Sequence, residues 1–311
     1  MAATGAVEIA AIADPSPDML ARAAACAPDA ARLSALDDLL ALALDLALDG
    51  IVIASPSALH AAQSIAALDR GIAVFCQKPL GRTGGETLAV VEAARRADRL
   101  LGVDLSYRHT AGMIRIRDLI RAGTLGPVHA IDLTFHNAYG PDKPWFFDRA
   151  LSGGGCVVDL GVHLVDLALW TLDFPQVTSV SSYLFSAGKP LDPASDSVED
   201  FAVATMILDT GTVVRLACSW NLPLGRDAQI SAAFYGPQGG ASLCNVGGSF
   251  FDFEAAHHRG TSSDILSSGP DDWPGRAAAN WARCLAAGER FDPNADRFVQ
   301  VAEVLDRIYA P

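Results

Sequence analysis

The chain predicts an α/β protein: a doubly wound parallel-sheet domain, followed by a domain built on a large, mostly antiparallel sheet. Three observations carry this. Short apolar runs alternate with helical patterns over the first hundred residues, which is the signature of βαβ units. The texture changes after Arg108, where long runs of alternating apolar and polar residues begin. The chain of 311 residues is half hydrophobic, enough for two cores. The boundaries expected are 1–108 for the parallel-sheet domain and 109–311 for the antiparallel one.

In the first part, "VEIAAIAD" (7–14) reads as a strand ending on Asp14, followed by a Pro-containing turn and an Ala-rich helix. "LDDLLAL" (36–42) is helical and "GIVIAS" (50–55) is a buried strand. The stretch 56–71 is a helix, with Pro56 at its start and Gly71 at its end. A strand at 72–77, a helix at 85–99 and a strand at 100–107 complete the alternation. In the second part a bridging helix (111–123) and a strand (128–137) precede "LSGGGCVVDLGVHLVDLALW". Alternating runs at 177–186, 199–208, 212–221, 228–235 and 240–246 read as strands, with "LDTGTVV" as a hairpin. Helices are expected at 275–287 and 297–309.

The net charge of -13 opposes binding to nucleic acid or to anionic membranes. The longest apolar run considered as a membrane candidate, 39–48, is broken by Asp45, and the N-terminus lacks the basic start of a signal peptide. Six scattered cysteines, without metal-type spacing, read as reduced thiols of a cytoplasmic protein.

Ligands of doubly wound sheets bind beyond the carboxyl ends of the strands. Asp14, the turn Ala54-Ser55-Pro56-Ser57 with His60, the pair Gln77-Lys78, and "SYRH" at 106–109 all fall on that rim. Lys78 is conspicuous because the chain holds only three lysines among its 23 basic residues. An ammonium can exchange a proton where a guanidinium cannot. Singly, each of these has a plain structural reading, as a helix cap, a turn or a surface lysine.

A second group lies in "GGGCVVDLGVHLVDLALW" (153–170). The glycines are read as allowing close approach of a ligand to the backbone. Asp159 and His163, four apart, share a helix face, where a carboxylate can orient an imidazole as general base. An amphipathic helix with a polar patch, or a metal site with Asp166, are the other readings; the spacing is not that of a zinc helix, and no metal is expected.

These motifs together resemble the Gfo/Idh/MocA oxidoreductases. "QKP" resembles their Glu-Lys-Pro motif, "GIVIASPSALH" their strand with Thr-Pro and histidine, and "GGGCVVDLGVHLVD" their glycine-led helix. The resemblance implies Lys78, Asp159 and His163 as the catalytic set, and NAD as cofactor in preference to NADP. It implies that Asp14 holds the adenosine ribose, with residues 54–57 on the nicotinamide side. Arg108 and Trp145 are candidates for the substrate pocket. The implied substrate is a sugar or cyclitol with a secondary hydroxyl, and the implied assembly is a homodimer or homotetramer. A non-catalytic ligand sensor on the same fold is the alternative, and a lyase or isomerase using the Lys–His pair is another. Two departures stand out. Gln77 replaces the family's Glu, and no G-x-G-x-x-G occurs. The strand ending at Asp14 is therefore expected to match the family's second strand, with Gly5 as the C-cap of a preceding helix and poor dinucleotide binding by the chain as given.

Overall fold

The computed structural model describes residues 1–43, 45–192 and 194–310. Its first part contains five short parallel strands: β1 (Ala11–Ala13), β2 (Ala31–Leu33), β3 (Gly50–Ile53), β4 (Ala73–Cys76) and β5 (Leu101–Val103). Between them run α1 (Pro17–Ala24), α2 (Leu36–Ala41), α3 (Ser57–Leu68) and α4 (Gly84–Ala97). The strands form two groups, β1–β2 and β3–β4–β5. Strand β4 lies in the middle of the larger group and is buried on both faces, which explains its unbroken apolar sequence. Ser16 and Thr83 accept the Met19 and Glu86 amides and so start α1 and α4, while Asp98 in the left-handed region ends α4. Strand β2 has no counterpart in the sequence reading; three residues give too short a pattern to register.

The expected strand at 100–107 stops at Val103. Residues Ser106–His109 form a 3-10 turn that leads into α5 (Ala111–Arg121). Then come β6 (Ala130–Asn137), the single helical turn α6 (Arg149–Ser152) and α7 (Val162–Thr171). The remaining strands are β7 (Val177–Ser186), β8 (Lys189–Pro190), β9 (Phe201–Leu208), β10 (Val213–Ser219), β11 (Ala228–Gly236), β12 (Gly239–Asn245), β13 (Phe253–Arg259) and β14 (Ser262–Ser267). They form one nine-stranded sheet in the order β14-β13-β12-β11-β6-β10-β9-β7-β8. The β6–β10 pair is parallel, and the other pairs are antiparallel. β13 and β14 were not expected from the sequence, and a bulge between Ala255 and Ala256 is the reason, since it breaks the period-two pattern.

One face of this sheet is core. Ala202, Ala204, Met206 and Leu208 of β9 are buried, while Phe201, Val203, Thr205 and Ile207 between them are partly exposed. The apolar stretch Arg149–Thr171 would be long enough to cross a membrane, but 78% of its most apolar window is packed inside the protein. It is a core helix interrupted by a turn. Helices α8 (Arg276–Ala286) and α9 (Asp296–Tyr309) return to the first part. Trp281 packs against Phe75 with ring centroids 5.8 Å apart, and it lies so close to Gly50 and Gly102 that a Cβ at either would collide with it. Val299 of α9 joins the core around β4, while Val301, Val304, Leu305 and Ile308 join the core of the large sheet. α9 thereby fastens the two parts together.

Candidate active site

The sequence-predicted rim residues follow the carboxyl ends of β1, β3 and β4. Asp14 Oδ1 accepts the Ser16 amide at 2.8 Å, so the residue starts the turn into α1. No side chain or amide donates to its other oxygen among the described contacts, which leaves that oxygen for a ligand. After β3, Ala54 is exposed, Ser55 donates to Gln63 Oε1 at 2.6 Å, and Ser57 is buried at the start of α3. His60 is enclosed between two turns. Its ring is 1% exposed, with Nδ1 2.6 Å from the Pro79 carbonyl and Nε2 2.7 Å from the Ser55 carbonyl. It ties the β3 turn to the Lys78-Pro79 turn. Gln77 donates to Asp104 Oδ2 at 2.8 Å. A glutamate at 77 would set two carboxylates against each other, so the amide suits this chain.

Lys78 crosses to the second part of the chain. Its ammonium donates to the Asp159 carbonyl at 2.8 Å and forms an ion pair with the Asp159 carboxylate. The other Asp159 oxygen accepts the Trp220 indole N–H at 3.1 Å. This revises the expected Asp159–His163 pair. Residues Val157–Gly161 form a π-turn ahead of α7, and Asp159 is used by Lys78 and Trp220 instead. His163 is 6% exposed and meets Tyr107 edge-on at 4.9 Å; its Nδ1 is buried without a hydrogen-bond partner among the described residues. Burial pushes its pKa well below the usual imidazole value, and the Lys78 ammonium pushes the same way. The imidazole is therefore neutral at ordinary pH, the form that can accept a proton.

Arg108 is also redirected. Its Nε donates to Asp166 at 2.7 Å and its Nη2 pairs with the same carboxylate, while the guanidinium lies over Phe174. Its charge compensates the buried Asp166, one turn beyond His163. Trp145 sits in the turn Pro144–Phe147, stacked on Phe146 with centroids 3.8 Å apart. Phe146 and Phe147 both pack edge-on against Trp220, so this aromatic turn adjoins the Asp159 side of the site. Trp220 itself was missed by sequence reasoning. It follows β10 directly and is buried, so it reads as core, and its partner lies 61 positions away.

The glycine run has a different purpose from the one expected. A Cβ on Gly154 would come within 2.1 Å of the Tyr309 hydroxyl, one on Gly155 within 1.9 Å of the Glu199 carbonyl, and one on Gly153 within 2.7 Å of Arg82. These glycines admit other parts of the protein, not a ligand.

The rim residues fit a dinucleotide in kind: a carboxylate oxygen without a partner among the described residues just after β1, and a partly exposed turn and a lysine just after β3 and β4. Comparisons with known proteins agree. The family model for the oxidoreductase family NAD-binding Rossmann fold matches residues 1–105, and that for the GFO/IDH/MocA C-terminal domain matches residues 113–242. D-glucoside 3-dehydrogenase of Escherichia coli is 29% identical over 247 residues, covering 76% of this chain and 70% of its own. Levoglucosan dehydrogenase of Pseudarthrobacter phenanthrenivorans is 32% identical over 139 residues, 42% of this chain and 35% of its own. Among solved structures, the aldose-aldose oxidoreductase of Caulobacter crescentus superposes with a TM-score of 0.82 at 21% identity, over 96% of this chain and 88% of that one. With both halves matched in order, the same two-part architecture, and Lys78, Asp159 and His163 drawn to one junction, the chain belongs to the Gfo/Idh/MocA family of NAD-binding oxidoreductases.

Proposed function

We propose that this protein transfers a hydride between NAD and a carbon bearing a secondary hydroxyl, on a sugar or cyclitol. The observation that carries the reading is the junction of Lys78 from the rim of β4 with Asp159 and a neutral, buried His163 from the second part. In this reading residues 1–108 hold the cofactor and 109–311 the substrate. NAD, when bound, supplies the hydride acceptor for the substrate carbon. His163 takes the hydroxyl proton as the C–H bond electrons leave, so the carbinol becomes a carbonyl. The Lys78 ammonium donates to the same oxygen and stabilises its developing negative charge, the usual task of an oxyanion donor. Asp159 keeps that ammonium charged and aimed; Trp145 and its aromatic neighbours form a wall of the kind that stacks on a sugar ring. Reduction runs through the same groups in reverse. The relatives' names, a glucoside and a levoglucosan dehydrogenase, support the substrate class.

The test is turnover of a panel of sugars and cyclitols with NAD by wild type, Lys78→Ala and His163→Ala. Each variant is expected to lose about two or more orders of magnitude in kcat. Wild-type-like turnover by either variant sinks the assignment, and a wild type that binds sugars without turnover favours a sensor. The half-covered face of the nine-stranded sheet supports self-association as a dimer or tetramer through that face. A stable monomer in light scattering at micromolar concentration counts against it. Six free cysteines suit the reducing cytoplasm.

A further inference from the structure

We propose that Glu199, backed by Tyr309, is the positioning residue of this site, acting as a helix N-cap supplied from a distant part of the chain. The inference rests on the reading of Lys78, Asp159 and His163 as the reacting constellation. The helical run that carries Asp159 and His163 starts immediately after the glycine turn, and its first amides have no intrahelical acceptor. One residue answers three of them in succession. The Gly155 amide donates to both Glu199 carboxylate oxygens at 3.0 Å, the Cys156 amide to the Glu199 carbonyl at 3.0 Å, and the Val157 amide to Oε1 at 2.9 Å. The Tyr309 hydroxyl, from the last residue of α9, donates to Oε1 at 2.7 Å.

Glu199 is 1% exposed, so its charge has no solvent to fall back on. Burial raises its pKa, while Tyr309 and the Val157 and Gly155 amides pull it down. Tyr309 is held protonated, because burial and the neighbouring carboxylate both push its pKa well above the phenol value. Both carboxylate oxygens thus face donors only, which is the pattern of an acceptor-only carboxylate. The close approach explains the glycines: side chains at 154 and 155 would occupy the space of Tyr309 and Glu199. A serine or aspartate at the local N-cap position would fasten the helix start only to itself. Glu199 fastens it to the strand β9 and, through Tyr309, to the helix that joins the two parts of the molecule. That fixes where the π-turn lies against the sheet, and hence whether Asp159 reaches both Lys78 and Trp220.

The Trp220 indole is bonded to Asp159, while the Trp220 backbone amide donates to the carbonyl of Asp200, next to Glu199, at 2.7 Å; the indole resonance, read against the Asp159→Asn shift, reports on this position without requiring turnover. Glu199→Gln keeps the size and replaces an acceptor oxygen by a donor that faces amide N–H groups. It is expected to lower kcat about tenfold or more with the sugar KM changed less than about threefold, the signature of a misplaced rather than lost reacting group. It should also move the Trp220 indole N–H resonance in the same direction as Asp159→Asn does, with the indole assigned by Trp220→Phe. Tyr309→Phe removes one of the four contacts to the carboxylate and should move both readouts the same way by less. If Glu199→Gln does not fold, Tyr309→Phe decides. A folded Glu199→Gln with an unshifted indole resonance, or with wild-type kcat, overturns the positioning role even if its melting temperature falls. A shifted resonance in a protein whose wild type turns over no sugar keeps the positioning role and overturns the proposed reaction.

Discussion

Replacing Arg108 by methionine should cost several kcal/mol and make stability depend on pH in an unusual direction. The side chain of Asp166 is 2% exposed and that of Arg108 18%, so this is an interior pair with one partner near the surface. Methionine keeps the apolar stem of Arg108 but leaves the carboxylate uncompensated. Removing one member of a buried pair typically costs about 3–5 kcal/mol, and the partial exposure of Arg108 favours the lower end, about 3 kcal/mol at pH 8. At roughly 2–4 °C per kcal/mol for a chain of this order, the melting temperature should fall by about 6–12 °C. Burial already raises the Asp166 pKa, and Arg108 counteracts it by charge and hydrogen bonding. Without Arg108 the pKa rises further. A carboxyl whose folded pKa exceeds its unfolded value adds stability at low pH, and loses it as pH rises through the folded pKa. The variant should therefore be least stable at pH 8 and recover toward pH 5, by up to ~1.4 kcal/mol per pH unit. The assay is denaturant and thermal unfolding of wild type, Arg108→Met and the double variant Arg108→Met/Asp166→Leu between pH 5 and 8. The double variant should regain most of the loss, because the buried charge is gone. Destabilisation by Arg108→Met of less than about 0.5 kcal/mol, or with no pH dependence, refutes the reasoning.

Three further outcomes are expected. Because the His163 pKa is lowered, the acid limb of kcat/KM should lie well below the ordinary imidazole range; a half-maximum at or above pH 6.5 contradicts His163 as the base. With no G-x-G-x-x-G to receive the pyrophosphate, NADH should bind weakly, and Asp14→Ala should weaken it about tenfold further in a fluorescence titration and raise the relative use of NADP; a wild-type kcat/KM higher with NADP than with NAD opposes the ribose role. Gly155→Ala should destabilise by more than ~3 kcal/mol, since its Cβ would lie 1.9 Å from the Glu199 carbonyl, whereas Gly161→Ala, with 3.5 Å to its nearest neighbours, should be nearly neutral in melting temperature.

Local pattern determined much of this protein. Apolar runs alternating with capped helices specify parallel strands, and the carboxyl-end rule then brings Asp14, the 54–57 turn and Lys78 to one rim. The alternation in β9 and β10 likewise specifies a half-covered antiparallel sheet. What the sequence left undecided depends on contacts between residues far apart in the chain. Asp159 and His163 are four apart and invite pairing, yet the π-turn and a lysine 81 positions earlier draw Asp159 elsewhere. His60 and Arg108 carry polar groups suited to ligands, yet the His60 ring lies between two backbone carbonyls and Arg108 is paired with a buried carboxylate. The glycine run reads as a place for a ligand and is filled by Glu199 and Tyr309, 44 and more residues downstream. A buried polar group must find a partner, and which partner it finds is a matter of three-dimensional proximity that no periodicity encodes.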